Sequence, residues 1–151
     1  MANILRSIGV IARALDSIAN IEFKQYDLTR GQYLYLVRIC ENPGIIQERL
    51  AEMIRVDRTT AARAIQRLAE NDFIERRFDE QNHKTKHLYP TVKGTETNEI
   101  IKRENVYSTE VALKGFDADE RQTAEALLDR IATNIDADWN AVKKKAKKRN
   151  Y

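Results

Sequence analysis

Residues 50–94 read LAEMIRVDRTTAARAIQRLAENDFIERRFDEQNHKTKHLYPTVKG. Their apolar positions recur at helical spacing, and the pattern breaks at Arg55-Val56 and again at Asn71-Asp72. The spacing predicts two short helices, one over about residues 46–54 and one from Asp57 to residue 69 or 70, joined by a three-residue turn. The Asp57 carboxylate is placed to cap the Thr60 N–H. Asn71 and Asp72 both tolerate the left-handed backbone that a helix stop often needs. Two runs of strand character follow, residues 73–78 and 86–89, on either side of the polar loop 79–85, and these predict a β-hairpin.

Two helices at a tight turn, followed directly by a hairpin, make a helix-turn-helix with a wing, which seats its second helix in the major groove of DNA. On that helix Ile65 and Leu68, with Ala61 or Ala62, are expected to face the core. Arg58, Thr59, Thr60 and Arg63 are then left near the outward N-terminal side. Arginine grips guanine bidentately, and threonine bonds a base edge or touches a thymine methyl. Arg55 and Arg67 suit backbone contacts, and Arg76 and Arg77 flank the first strand and suit phosphate. His83, Lys84 and Lys86 in the hairpin are placed to follow the duplex backbone or enter the minor groove. An arginine-bearing outer face is also what an ordinary solvated helix shows. The turn and hairpin around it favour the nucleic-acid reading.

The rest of the chain is helical in pattern, with 5 glycines and 2 prolines in 151 residues. Ile4, Ile8, Ile11, Leu15 and Ile18 form an apolar stripe on a first helix, which suits either a core-facing helix or a dimer seam. Thr29-Arg30-Gly31-Gln32 reads as a capping box opening a second helix through Tyr33, Leu36, Val37 and Cys40, which Asn42-Pro43-Gly44 ends. Thr91 is expected to cap a long helix to about residue 114, broken by Gly115. Asp117-Ala118-Asp119-Glu120 is a second capping box. It opens a last helix with Leu127, Leu128, Ile131, Ile135, Trp139 and Val142 near one face. The expected fold is thus mainly α with a small β-hairpin, in the order α-α-α-α-β-β-α-α. It forms a single domain over 1–151, with the winged helix-turn-helix at 46–91, dimerisation helices at 1–26 and 117–142, and a basic tail at 143–151.

Bulk properties narrow the function. The net charge of +3 hides an asymmetry, because residues 143–149 carry six positive charges and no acid, leaving −3 on the body. The high pI therefore belongs to the tail, which reads equally as a DNA-touching arm and as a solubilising end. From Arg55 to Lys93, nine basic residues face six acidic ones, a local excess on an otherwise acidic body. One cysteine excludes an internal disulfide and points to a reducing, cytoplasmic setting. No apolar run is long enough to span a membrane, and the N-terminus does not read as a signal peptide. No Gly-rich phosphate loop, metal-ligand cluster or nucleophile–base pair is visible, so neither catalysis nor a cofactor is expected.

At residues 50–94 the sequence resembles the MarR family (multiple antibiotic resistance regulators). The LA, DRTT…RAIQRL and FIERR…D…T-x-K-G elements fall in the family's order and spacing, and the likeness extends over the flanking helices. The resemblance implies a bacterial homodimer whose N- and C-terminal helices interlock, here through Ile4, Ile8, Ile11, Leu15, Leu128, Ile131, Ile135 and Trp139. It implies binding to a pseudo-palindromic operator on double-stranded DNA by two recognition helices and two wings, usually as a repressor. Control by a small ligand or an oxidant is also in the family's repertoire, with the ligand pocket near Tyr26, Tyr33 and Tyr35.

The sequence departs from the family pattern in four places. The wing tip reads Asn82-His83-Lys84, without the usual Asp and Arg. The glycine common in the helix-turn-helix turn is replaced around Arg55, Asp72 replaces the glycine that closes the recognition helix, and Pro90 replaces a leucine before the T-x-K-G element. Cys40, late in the second helix, reads as a small buried hydrophobe rather than the oxidant sensor some members carry in the first helix. His83 and His87 with Asp79 and Glu80 make a poor zinc set, so no metal is expected. The competing function is a winged-helix protein-interaction or non-specific architectural module without an operator of its own.

Overall fold

A computed structural model describes residues 3–144 and 149–150. The elements follow in the order α1 (Ile4–Glu22), α2 (Gln32–Glu41), β1 (Ile45–Ile46), α3 (Gln47–Ile54), α4 (Arg58–Glu70), β2 (Ile74–Phe78), β3 (Lys86–Pro90), α5 (Val92–Ala112) and α6 (Ala118–Lys143), with a 3-10 turn at Lys24–Tyr26. The chain divides into two compact units, one up to Arg103 and one from Glu104, and α5 runs through the boundary. The expected mainly helical winged helix-turn-helix is present. The tail residues 145–148 and Tyr151, like Met1 and Ala2, lie outside the described residues.

In the first unit the core is built from one face of each helix. Leu36 and Ile39 of α2, Leu50 and Ala51 of α3, and Ala61, Ile65 and Leu68 of α4 are buried. They meet Phe73, Ile74 and Leu88 from the sheet and Ile101 from α5 in one cluster. Each large aliphatic removed from water there contributes roughly 1.5–3 kcal/mol. The small Ala61 and Ala64 let α4 sit close to its neighbours while its arginines stay outside.

Two local expectations are corrected. The hairpin is part of a three-stranded antiparallel sheet of order β1-β3-β2, with Ile45 opposite Leu88 and Ile74 opposite Pro90. Two residues are too few for β1 to show an alternating pattern. The capping box at 29–32 does not form. Arg30 and Gly31 both adopt left-handed backbone, φ +57° and +74°, so the chain reverses and Gly31 becomes the N-cap with no side-chain cap. The Asn20 Oδ1 instead accepts the Gly31 N–H at 3.1 Å.

The T-x-K-G element joins the end of α4 to the start of α5. The Thr91 hydroxyl shares its proton between the Asp72 and Phe73 carbonyls, at 2.6 and 3.1 Å, and accepts the Gly94 N–H at 3.0 Å. Lys93 Nζ donates to the Asn71 carbonyl at 2.8 Å and lies over the Phe73 ring. Gly94 packs so closely that a Cβ there would stand 2.0 Å from the Phe73 carbonyl oxygen.

The second unit is a helical turn held by side chains. Gly115 takes φ +87°, the Asp117/Glu120 capping box forms in both directions, and Arg121 grips the Glu110 carboxylate at 2.9 and 3.1 Å. That grip holds the Glu110 carboxyl below the usual carboxylate range.

Gly94→Ala would favour a helix by about 1 kcal/mol in isolation. Here the new methyl meets a backbone carbonyl, and the variant is expected to lose about 3 kcal/mol or more of unfolding free energy in urea titrations. A variant as stable as the parent would contradict the tight junction.

Candidate nucleic-acid interface

The turn between α3 and α4 depends on one backbone conformation. Arg55 has φ +61° and its N–H closes α3 onto the Ala51 and Glu52 carbonyls. Asp57 then caps α4, its two carboxylate oxygens accepting the Thr60 N–H at 2.7 Å and the Thr60 hydroxyl at 2.9 Å. These bonds, with the Thr60 amide first, hold the Asp57 carboxyl below the ordinary carboxylate range. At its other end α4 stops at Asp72, φ +60°. A residue with a Cβ costs on the order of 1 kcal/mol in this region, so both positions carry strain that glycine would not.

This framing turns Arg58, Thr59, Thr60, Arg63 and Arg67 outward, all exposed. They do not stand equally free. Arg58 is paired with Glu48 of α3 at 2.7 Å, and the Thr60 hydroxyl proton is engaged by Asp57. Among the described residues neither Arg63 nor Arg67 has a carboxylate partner. The exposed Arg55 donates to the Met53 carbonyl.

Two basic clefts border α4. One, of about 310 Å³, gathers Arg58, Lys84 and Lys86 with Glu48, between the start of α3, the start of α4 and the wing. The other, of about 220 Å³, gathers Arg63, Arg67 and Thr60 with Arg30 and Tyr35. Arg30, which no helical or strand pattern marks, is the residue that sequence reasoning missed. Its only signal is the Arg-Gly pair, read there as part of a capping box.

On the wing, Arg76 and Arg77 are exposed on β2, and Arg77 stacks on the Tyr89 ring at 4.1 Å while pairing with Glu75. His83 and Lys84 are exposed at the tip. The loop is ordered by Asp79, whose carboxylate accepts the Gln81 N–H at 2.9 Å, and by Asn82, which accepts the Lys84 N–H at 3.2 Å. His87 stands apart from the tip. Its Nδ1–H donates to the Gly44 carbonyl at 2.8 Å, and its Nε2 lies 3.5 Å from the Asp79 carboxylate. No group of three or more His, Cys, Asp or Glu placed to hold a metal occurs among the described residues.

The three tyrosines have different neighbours. Tyr35 lines the Arg30 cleft, where burial and then Asp57 raise its phenol. Tyr33 packs on Phe23, and its hydroxyl donates to Asp16 at 2.7 Å. Tyr26 lies half-buried on the 3-10 turn. Cys40 is half-buried with its thiol 3.9 Å from the Gly94 carbonyl, and burial pushes the thiol up to about 11.

The MarR family profile matches residues 28–86. A curated relative in Bacillus subtilis (strain 168), the uncharacterised HTH-type transcriptional regulator YybA, is 63% identical over 151 residues, covering 100% of both chains. The chain belongs to the MarR family. Two solved structures from Listeria monocytogenes agree over 100% of both chains at 53% identity: an uncharacterised SlyA-like transcription regulator, TM-score 0.95, and a MarR family regulator complexed with 26mer DNA, TM-score 0.94. This chain is accordingly a transcriptional regulator and not an enzyme. Among the described residues no helix is long and apolar enough to cross a membrane. Two departures from the family pattern now have a physical reading, because Arg55 and Asp72 hold the left-handed conformations that glycine would take freely.

The Asp57 cap sets a pH dependence. A carboxyl lowered on folding adds stability above its unfolded value, near 3.8, and loses it as pH falls through the folded value. Asp57→Ala should melt below the parent at pH 7, and the gap should close at low pH; a gap independent of pH would exclude the cap. Cys40 should react with a disulfide reagent far more slowly than a free thiol at pH 8, and fast labelling would contradict its raised pKa.

Proposed function

We propose that this regulator binds double-stranded DNA in the cytoplasm as a homodimer, laying α4 of each protomer in the major groove of a pseudo-palindromic operator and acting there as a repressor. The observation that carries the reading is the outward face of α4, where Arg58, Thr59 and Arg63 are exposed on the first two turns, with Lys84 of the wing beside Arg58. A relative at 53% identity was solved with 26mer DNA, which supports the same role here.

The residues divide by task. Arg58, Thr59, Thr60 and Arg63 lie at the end of α4 that a recognition helix uses for bases, with Glu48 steadying the Arg58 guanidinium. Arg55, Arg67, Arg76, Arg77, His83, Lys84 and Lys86 take phosphate or minor-groove contacts, which fix register and add salt-dependent affinity. Apolar side chains left open on the terminal helices support the dimer. Ile4, Ile11 and Leu15 of α1 and Leu128 and Ile135 of α6 are exposed, with Ile8, Ile131 and Trp139 half-covered. Stripes of this kind are unfavourable in water unless another surface meets them. Release by a small-molecule effector belongs to the same reading, with Tyr26, Tyr33 and Tyr35 as separate candidate contacts.

The test is a gel shift with DNA upstream of the chain's own gene, in the presence of excess unrelated DNA. Specific binding should survive the competitor; its loss would favour the protein-interaction or non-specific module. Arg63→Ala should cost roughly 1–3 kcal/mol and relax base preference at one position per half-site. Lys84→Ala should weaken all sequences alike and make the salt dependence shallower. Unchanged affinity in Arg63→Ala would remove α4 from the groove.

A further inference from the structure

We infer that Arg30 is a further DNA-contacting residue, closing with Arg67 a clamp of two guanidinium groups on one backbone phosphate beside α4, while Arg63 of the same cleft reaches the bases. The inference rests on the DNA-binding reading above. Arg30 lies outside the helix-turn-helix and the wing, in the reversal that precedes α2.

Three observations converge on it. The cleft of about 220 Å³ brings Arg30 together with Arg63 and Arg67, and no acidic side chain lines it. Among the described residues none of the three arginines has a carboxylate partner, so like charges are gathered around an open space. A cleft lined by three arginines and no acid attracts an anion, and the planar guanidinium fork matches a phosphate oxyanion. The backbone supplies the third observation. Arg30 is held at φ +57°, next to Gly31 at φ +74° and beneath the hydrogen bond from the Gly31 N–H to Asn20. Glycine would take the Arg30 conformation without strain, so what arginine adds at this position is its side chain, carried on a fixed turn.

A phosphodiester of the duplex and a free phosphate share this chemistry, and the position of the cleft along the exposed face of α4 favours the duplex. Phosphates near the wing are left to Lys84 and Lys86, in the other cleft. The clamp thus anchors a second flank of the same helix and fixes its register against slippage.

The experiment compares full-length wild type, Arg30→Gly, Arg30→Lys and Arg63→Ala on an operator fragment selected from genomic DNA, titrated at several salt concentrations. Arg30→Gly should bind about tenfold more weakly on every sequence, with the slope of log affinity against log salt shallower by about 0.9. Its base preference should be unchanged and its melting temperature equal or higher, because the strained position is relieved. Arg30→Lys should recover the slope and part of the affinity. Wild-type affinity and slope in Arg30→Gly overturn the clamp, and they do so alone if Arg63→Ala still relaxes base preference. Absence of specific binding by the wild type removes the DNA-binding reading itself and the clamp with it. Should millimolar inorganic phosphate raise the melting temperature of the wild type but not of Arg30→Gly, while the DNA slopes agree, the cleft is a free-phosphate site and the clamp is wrong.

Discussion

The carbonyl of Phe73 has almost no room above it. Gly94 passes so close that only a hydrogen fits between them, and Thr91 and Lys93 bond this carbonyl and the two that precede it. These carbonyls lie just past the last turn of α4, and the ammonium of Lys93 and the hydroxyl of Thr91 satisfy them. One short element thereby fixes the far end of α4, the entry of β2 and the direction of α5. The orientation of the outward arginines follows from that junction as much as from the turn at Arg55.

Charge is distributed by local pairing and not by total. The body is net acidic once the tail is set aside, yet carboxylates answer only some of the arginines near α4. Glu48 takes Arg58 and Glu75 takes Arg77, both at solvent-exposed positions where an ion pair adds little to folding. Their effect is to aim a guanidinium. Arg30, Arg63 and Arg67 have no such answer among the described residues.

Much of this was readable before any coordinates. The period of Ile65 and Leu68 against Arg58 and Arg63, the Asp57 cap, the Asp117 capping box and the polar hairpin loop are local signals, set by neighbours in sequence. What escaped depends on partners far along the chain. Strand β1 is defined by its pairing with Leu88, some forty residues later, and two residues carry no periodicity of their own. The Arg30–Gly31 reversal imitates a capping box in composition, and only its tie to Asn20 shows that Gly31 is the cap.

The small strand β1 has a mechanical consequence. The Gly44 N–H bonds the Leu88 carbonyl at 2.8 Å, Ile45 and Ile46 pair with the inner strand of the wing, and His87 bridges the Gly44 carbonyl to the side of Asp79. Since β1 runs straight into α3, the hairpin is no free-swinging flap but one arm of a stiff bracket whose other arm is the first helix of the turn. Any motion that lifts the wing has to lift α3 too, so fingertip and knuckle move together.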